Sequence, residues 1–233
     1  MPAAVLRGMV RSAAWQATLL PLLLASLSGW LALVWIELRL PMAQLCRASL
    51  SAGRGPDPAV LSWLVSGLAL ASAAMVLAMM PLLLAGPVSH LWTRSLARRR
   101  WRALALFSLT YGVIWTMAAL VLLVMAAVVA GTWLGVMLVL ALALAWQCTP
   151  ARQRCLNRCH RVPRLAAFGW AADRDCLVYG ASAALWCIGA CWALMLLAMS
   201  LAEVHLVGIL VVSVFLVAER RLPARAERWR LAV

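Results

Sequence analysis

The amino-acid sequence predicts an all-α polytopic membrane protein, a bundle of six transmembrane helices with both termini in the cytoplasm. Of its 233 residues, 66% are hydrophobic and only 12% are charged. Residues 103–147 carry no charge at all, and so long a run exceeds what the core of a soluble domain requires. The 21 basic residues are all arginines, and most of them fall between the apolar runs, a pattern typical of multi-pass membrane proteins.

The first two predicted spans cover residues 17–36 and 59–84, separated by a polar, turn-forming segment. The first run is longer than the apolar region of a signal peptide and ends without a small-residue cleavage site, so we interpret it as an uncleaved span. Pro81, near the end of the second span, removes one backbone hydrogen bond and predicts a kink there.

The two later apolar runs are each too long for one helix and predict helical hairpins. At about 1.5 Å per residue, residues 103–147 would extend across roughly twice the thickness of a bilayer core. We expect this run to turn at residues 130–135, and the next to turn near Glu203 and His205. The resulting four spans are predicted at residues 103–129, 133–147, 176–199 and 206–218.

The distribution of arginine predicts the orientation of the chain. All but three arginines lie in the N-terminal segment, in the loops 86–102 and 148–175, or in the C-terminal tail. Six spans place these segments on the same side, and arginine-rich segments of membrane proteins face the cytoplasm. We therefore predict a single integral membrane domain, residues 1–233, in the cytoplasmic (inner) membrane of a bacterium.

Composition and motifs exclude several classes of function. A net charge of +14 would suggest a nucleic-acid partner in a soluble protein, but there is no soluble basic domain to carry one. The lipid bilayer is therefore the expected partner, with no nucleic acid. No P-loop, HExxH or GxGxxG motif and no nucleophile–base pair is present, which favours a protein that is not an enzyme.

Cysteine and methionine side chains in the fifth span predict a soft metal site. Cys187 and Cys191 are four residues apart and share one face of a helix, on which Cys176 and Met195 also lie. Counted from the cytoplasmic end, Cys187 should lie near the middle of the bilayer. Thiolate and thioether ligands select Cu(I) over hard cations. The alternative is that these cysteines are small apolar side chains that only pack the helix.

Cys155 and Cys159 form a second pair with the same spacing, within the arginine-rich loop 148–175. Nearby arginines lower the pKa of a thiol and favour the thiolate, which binds metal or reacts. We interpret this pair as a cytoplasmic docking or exchange site, with thiol-redox chemistry or unused thiols as the alternatives.

Methionines in the second span supply further candidate ligands. Met75 and Met79 share a helical face, and Met79 and Met80 are the candidates that we expect to bind the metal. The alternative is that these flexible side chains fill gaps in the core. In the third span, Gly112 beside Tyr111 predicts a position where a neighbouring helix approaches closely.

Several of these landmarks together resemble a bacterial family of predicted metal-binding integral membrane proteins. Their order and spacing, rather than any one of them, carry the resemblance over about residues 63–222. They are Ala78-Met79-Met80-Pro81, Arg99-Arg100, Tyr111-Gly112 with Trp115, Gln147, Thr149-Pro150, Cys155-Leu156, Cys159, Gly180, Cys187, Cys191-Trp192, Leu194-Met195 and Glu219-Arg220.

The resemblance implies a polytopic metal-binding protein for which copper is the expected metal, but it implies no reaction. The chain departs from the family pattern at two places. His160 stands where relatives have arginine, and the outer turn reads Ala202-Glu203-Val204-His205 in place of a turn that contains methionine. His205 is therefore a candidate substitute for a methionine ligand at that turn.

We therefore predict an integral membrane protein that binds or handles copper(I). The candidate metal ligands are Cys187, Cys191, Cys155, Cys159, Met79, Met80 and Met195. The expected partners are a copper donor or acceptor protein or a membrane complex. A structural or assembly subunit without metal and a thiol-redox membrane protein remain as alternative functions.

Overall fold

The computed structural model describes residues 3–39, 58–129, 132–201 and 204–229, and within these ranges the chain is helical with no strand. The predicted turn at residues 130–131, Glu203 and residues 40–57 of the first polar segment lie outside the described residues. The helices are α1 (Ala3–Arg39), α2 (Pro58–Leu83), α3 (Ala85–Arg94), α4 (Arg100–Val129), α5 (Trp133–Cys148), α6 (Pro150–Cys159), α7 (Gly169–Ser200) and α8 (His205–Arg221), with a short 3-10 turn at Ala97–Arg99.

Several of these helices are long and apolar enough to cross a membrane. Four meet that description, in α1, α2, α4 and α7, and α5 with α6 makes a fifth if this bent pair is one span. Leucine, valine and other large apolar side chains are exposed along α4 from Leu109 to Val128 and along α8 from Val207 to Phe215. The predicted all-α class is therefore confirmed for the described residues, and the four or five candidate spans, against the six predicted, are compatible with a multi-pass membrane protein.

Two helix boundaries differ from the sequence prediction. The segment 148–175 is not a continuous loop, because residues 150–159 form α6 and α7 already begins at Gly169. α6 exposes Arg154 and Arg158 and no large apolar side chain, which distinguishes its surface from that of α4 and α8. We therefore treat α6 as lying outside the apolar, membrane-facing surface.

The core of the bundle is built on α4 and α7, which pack side by side and run in the same direction. At one end Asp173 of α7 accepts hydrogen bonds from Arg99 at 2.6 Å and Arg102 at 2.7 Å. Further along, the aromatic ring of Phe107 on α4 contacts that of Tyr179 on α7. Each of the other helices packs against α4, α7 or α2. The pair α4 and α7 is therefore the centre of the bundle.

The helix that contains Pro81 breaks shortly after the proline. α2 ends at Leu83 and α3 starts at Ala85, so the interruption predicted for this end of the span lies just beyond Pro81. α1 contacts α2 at Ala78, where the Ser26 hydroxyl donates to the Ala78 carbonyl at 2.5 Å. A Cβ added to Gly29 of α1 would lie 2.3 Å from the Ala78 nitrogen. α1 therefore packs closely on α2.

The close approach predicted at Gly112 is wrong, and the structure places it at Gly180 instead. A Cβ on Gly112 would meet no atom within 4 Å, whereas one on Gly180 would lie 2.7 Å from the carbonyl oxygen of Phe107. The sequence could not distinguish the two, because both glycines lie in apolar helices and only the helix packing determines which one faces a backbone.

We predict that Gly180→Ala destabilises the protein by about 1–3 kcal/mol, because the new methyl group must push α4 and α7 apart. The matched control, Gly112→Ala, should be neutral or stabilising by up to about 1 kcal/mol, since alanine is the better helix former. Thermal unfolding in detergent measures both. Equal melting temperatures for the two variants would contradict the packing of α4 on α7.

Candidate metal site

The bend between α5 and α6 brings the cysteines of the basic segment back to α7. Thr149 precedes Pro150, so its backbone is extended, and its hydroxyl accepts from the Arg152 amide at 3.2 Å, which caps α6. The two helices meet at 67°. α6 consequently runs back along α7, where the guanidinium of Arg158 lies 4.7 Å from the ring of Trp186.

Cys187 and Cys191 lie inside the bundle on one face of α7. Both are buried, as are Cys176, Met195 and Met199, so the sulfur-bearing face predicted for this helix points into the core. The Cys191 thiol donates to the Cys187 carbonyl at 3.0 Å, and the two thiols lie close together. Met199 extends the same four-residue spacing by one step, which the sequence analysis overlooked.

Cys159 joins this pair through Arg220. The half-buried guanidinium of Arg220, near the end of α8, lies close enough to the Cys187 and Cys159 side chains to interact electrostatically with both. Cys159 of α6 and Cys187 of α7 thus lie beside the same positive charge, with Cys191 next to Cys187. The prediction that Cys159 belongs to a separate cytoplasmic pair does not include this contact, because nothing in the sequence shows that α6 packs along α7.

Tyr111 connects the thiols to the methionines of α2. Its hydroxyl donates to the Met80 sulfur at 3.3 Å and lies next to the Cys187 side chain. The Tyr111 side chain therefore lies between the Met80 sulfur and the cysteines, and its hydroxyl contacts Met80. Met79 is buried in the same core as Met80.

An ion pair beside Arg220 holds α6 and α8 together. Arg152 of α6 donates to the Glu219 carboxylate and, through Nε, to the Ala190 carbonyl at 3.3 Å. The side chain of Arg152 is 6% exposed and that of Glu219 is 16% exposed. Because Glu219 neighbours Arg220 in the chain, this pair also fixes where Arg220 enters the cluster.

Cys155 does not share the position of Cys159. Its sulfur would lie 2.8 Å from a Cβ on Gly189, two residues from both Cys187 and Cys191 and therefore on the opposite side of α7. Burial raises the pKa of the Cys155 thiol despite the nearby Arg154 and Arg158, and burial likewise raises the pKa of Cys159 to about 12. The expectation that arginines favour a thiolate in this pair is thus wrong, since burial of both side chains outweighs the charge.

A surface cavity leads to Cys159. It is lined by Cys159 with Arg158 and Arg161 on one side, and by Tyr179 and Trp186 of α7 on the other. Next to it, the tail after α8 is tied to α6, because Asn157 donates to the Arg225 carbonyl at 2.8 Å. Cys159 is thus the thiol of the cluster that lines an opening to the surface.

Within the described residues, no three His, Cys, Asp or Glu side chains are arranged so that they could hold a metal ion. The cluster instead offers the adjacent thiols of Cys187 and Cys191, with Cys159 and Met80 within one intervening side chain. Sulfur ligands of this kind suit a soft monovalent ion rather than zinc, which demands a closed set of four nitrogen or sulfur ligands.

The polar residues that organise the cluster are not predicted from the sequence. Arg220, Tyr111 and Arg152 stand there only as charges or motif residues without a role at the site. The only signal was that Tyr111 and Glu219-Arg220 belong to the family landmarks. Their proximity to Cys187 depends on three helices that are far apart in the chain, so no local pattern could predict it.

Comparison with known proteins places this cluster within a described family. Residues 69–233 match the family model described as PpoB2, copper chaperone, so the match includes every residue of the cluster and leaves α1 outside. No curated protein and no solved structure matches the chain.

We predict that Glu219→Gln destabilises the protein by about 3–5 kcal/mol, because it leaves the buried Arg152 guanidinium without a counter-charge. The matched control is Glu227→Gln, which breaks an ion pair at the surface, where the side chain of Arg154 is 59% exposed and that of Glu227 is 38% exposed. This change should cost less than about 1 kcal/mol of stability. Denaturation in detergent at fixed pH compares them. Similar losses for the two variants would show that the buried pair does not hold α6 on α8.

Proposed function

The chain belongs to the PpoB2 family of copper chaperones, and from this premise we propose that it holds Cu(I) within the membrane and passes it to other copper-handling proteins. The observation that carries the proposal is the meeting of Cys187, Cys191 and Cys159 around Arg220, with Met80 behind Tyr111. Soft sulfur ligands of two kinds, in one buried place, match the preference of Cu(I).

The charges of the cluster support a monovalent cargo. A thiolate buried away from water is costly unless a positive charge lies beside it. Arg220 provides one such charge, and a bound Cu(I) would provide a second. Two thiolates, one Cu(I) and Arg220 together are neutral, so the ion can be held without an uncompensated charge in an apolar environment.

Cys159 is the residue through which we propose that copper is exchanged. It lies between the buried pair and the surface cavity formed by α6 and α7, and the arginines at the rim of that cavity would attract an acidic partner surface. The partner is then a copper donor or acceptor protein, or a membrane complex that requires copper. Cys155, against Gly189, is not part of this route.

The proposed topology has six spans, in α1, α2, α4, α5, α7 and α8, with both termini cytoplasmic. α5 with 16 residues and α8 with 17 would each extend about 25 Å, close to the thickness of a bilayer core. Because both helices end beside the cysteines, we place the cluster near the cytoplasmic boundary of the apolar region instead of at its middle.

We predict that Cys187→Ala/Cys191→Ala abolishes copper retention while the protein still inserts and folds, since alanine is small and apolar. The matched control is Cys176→Ala on the same helical face, buried like the other two but beside Asp173. Elemental analysis of protein purified after copper loading under reducing conditions measures the result. Full copper content in the double variant would favour the alternative of an assembly subunit, in which these cysteines only pack.

The topology predicts that reporters fused after Arg102, after Arg164 and at Val233 all report the cytoplasm, because the arginine-rich segments then share one side. A reporter within residues 51–58 should report the periplasm. Paired alkaline phosphatase and fluorescent-protein fusions measure this. A periplasmic signal at Val233 would refute the six-span arrangement without affecting the copper proposal.

A further inference from the structure

A second group of soft ligands lies at the other end of the bundle from the cysteines. Met75 of α2, Met199 in the last turn of α7 and His205 in the first turn of α8 line one small cavity. Met199 is eight residues beyond Cys191, so the cavity lies about 12 Å away from that thiol along α7. The rest of its lining is apolar apart from Ser72.

Two polar features suggest that this cavity accommodates an ion. The hydroxyl of Ser72 is buried, and within the described residues it has no hydrogen-bond partner, an unusual condition for a buried polar atom. Glu37 of α1 also places a carboxylate oxygen 3.5 Å from Nε2 of the buried His205. That carboxylate supplies a negative charge beside the cavity, which favours a cation in an otherwise apolar place.

We propose that Met75, Met199 and His205 form a second site for a monovalent soft metal ion, Cu(I) or its analogue Ag(I). Thioethers and an imidazole bind such an ion without carrying charge, and Glu37 offsets the charge of the cation. The inference deepens the proposed function, because it assumes that the cargo is copper. Met75, Met199 and His205 lie within the matched residues 69–233, whereas Glu37 lies outside them.

The buried sulfurs between the two sites form a series that could connect them. Cys187, Cys191, Met195 and Met199 follow one another at four-residue intervals on α7, about 6 Å apart along the axis. All four are buried, as are Met75, Met79 and Met80 of α2. An ion at the second site therefore has sulfur ligands within reach at each step toward Cys191.

The test compares silver binding by the full-length protein in a chloride-free detergent solution. Met75→Leu/Met199→Leu removes both thioethers at nearly constant volume, so the fold should be retained. The control, Met125→Leu/Met137→Leu, changes two methionines exposed on the outer surface. Both double methionine variants are made in the wild-type chain and again in the Cys187→Ser/Cys191→Ser variant. Within each background the two proteins compared then contain the same cysteines.

We expect Met75→Leu/Met199→Leu to hold one silver ion fewer than its control in both backgrounds. Silver should also raise the melting temperature of the control more than that of the Met75→Leu/Met199→Leu variant, because a ligand that binds only the folded state stabilises it. His205→Gln should weaken silver binding in the same way. Equal silver content in variant and control would overturn the second site.

A difference seen only when Cys187 and Cys191 are present would also overturn it, because the methionines would then belong to the cysteine site. The proposed function is tested separately by the effect of Cys187→Ser/Cys191→Ser itself. One informative outcome is that Cys187→Ser/Cys191→Ser binds as much silver as Cys176→Ala while Met75→Leu/Met199→Leu still binds less than its control. That result would contradict the cysteine site and support the second site.

Discussion

The buried charge of Arg152 and the half-buried charges of Glu219 and Arg220 are the constraint on which the rest of the structure depends. Removing a guanidinium from water is costly unless its counter-charge and hydrogen bonds are supplied in place. Glu219 supplies the counter-charge for Arg152, and the Ala190 carbonyl supplies a further acceptor. The helix end of α8, the bent segment α6 and the middle of α7 must therefore come together in a single arrangement. This arrangement also determines where the thiols meet.

Among the described residues Arg220 forms no ion pair with a carboxylate, and its guanidinium lies beside the Cys187 and Cys159 thiols. A guanidinium cannot give up its proton in a protein, so its charge persists whatever the thiols do. The cost of that charge falls when a neighbouring thiol ionises. Arg220 thus links the acid–base state of the cysteines to the stability of the fold, and a positively charged cargo changes both.

Much of the fold could be predicted from the sequence, because apolar runs and arginine clusters are local properties of the chain. The uncharged run 103–147 indicates a hairpin, and α4 and α5 meet that expectation on either side of residues 130–131. The four-residue spacing of Cys187, Cys191 and Met195 likewise predicts the face that is buried. The bend after Cys148 could not be predicted in the same way, although Thr149-Pro150 marks it, since a capped proline can also begin a helix that continues outward.

The site shows why that bend matters more than the number of spans. If α6 left the bundle, Cys159 would be a separate thiol in a basic loop, as the sequence analysis expected. Because α6 returns along α7, the extended backbone of Thr149 before Pro150 places Cys159 beside Arg220 and places Arg152 opposite Glu219. A short capping motif and one ion pair thereby bring Cys159 to the pair Cys187 and Cys191, in a cluster with an opening at Cys159. In the copper-handling role proposed above, a buried pair connected to a half-buried thiol at an opening would provide both retention and access.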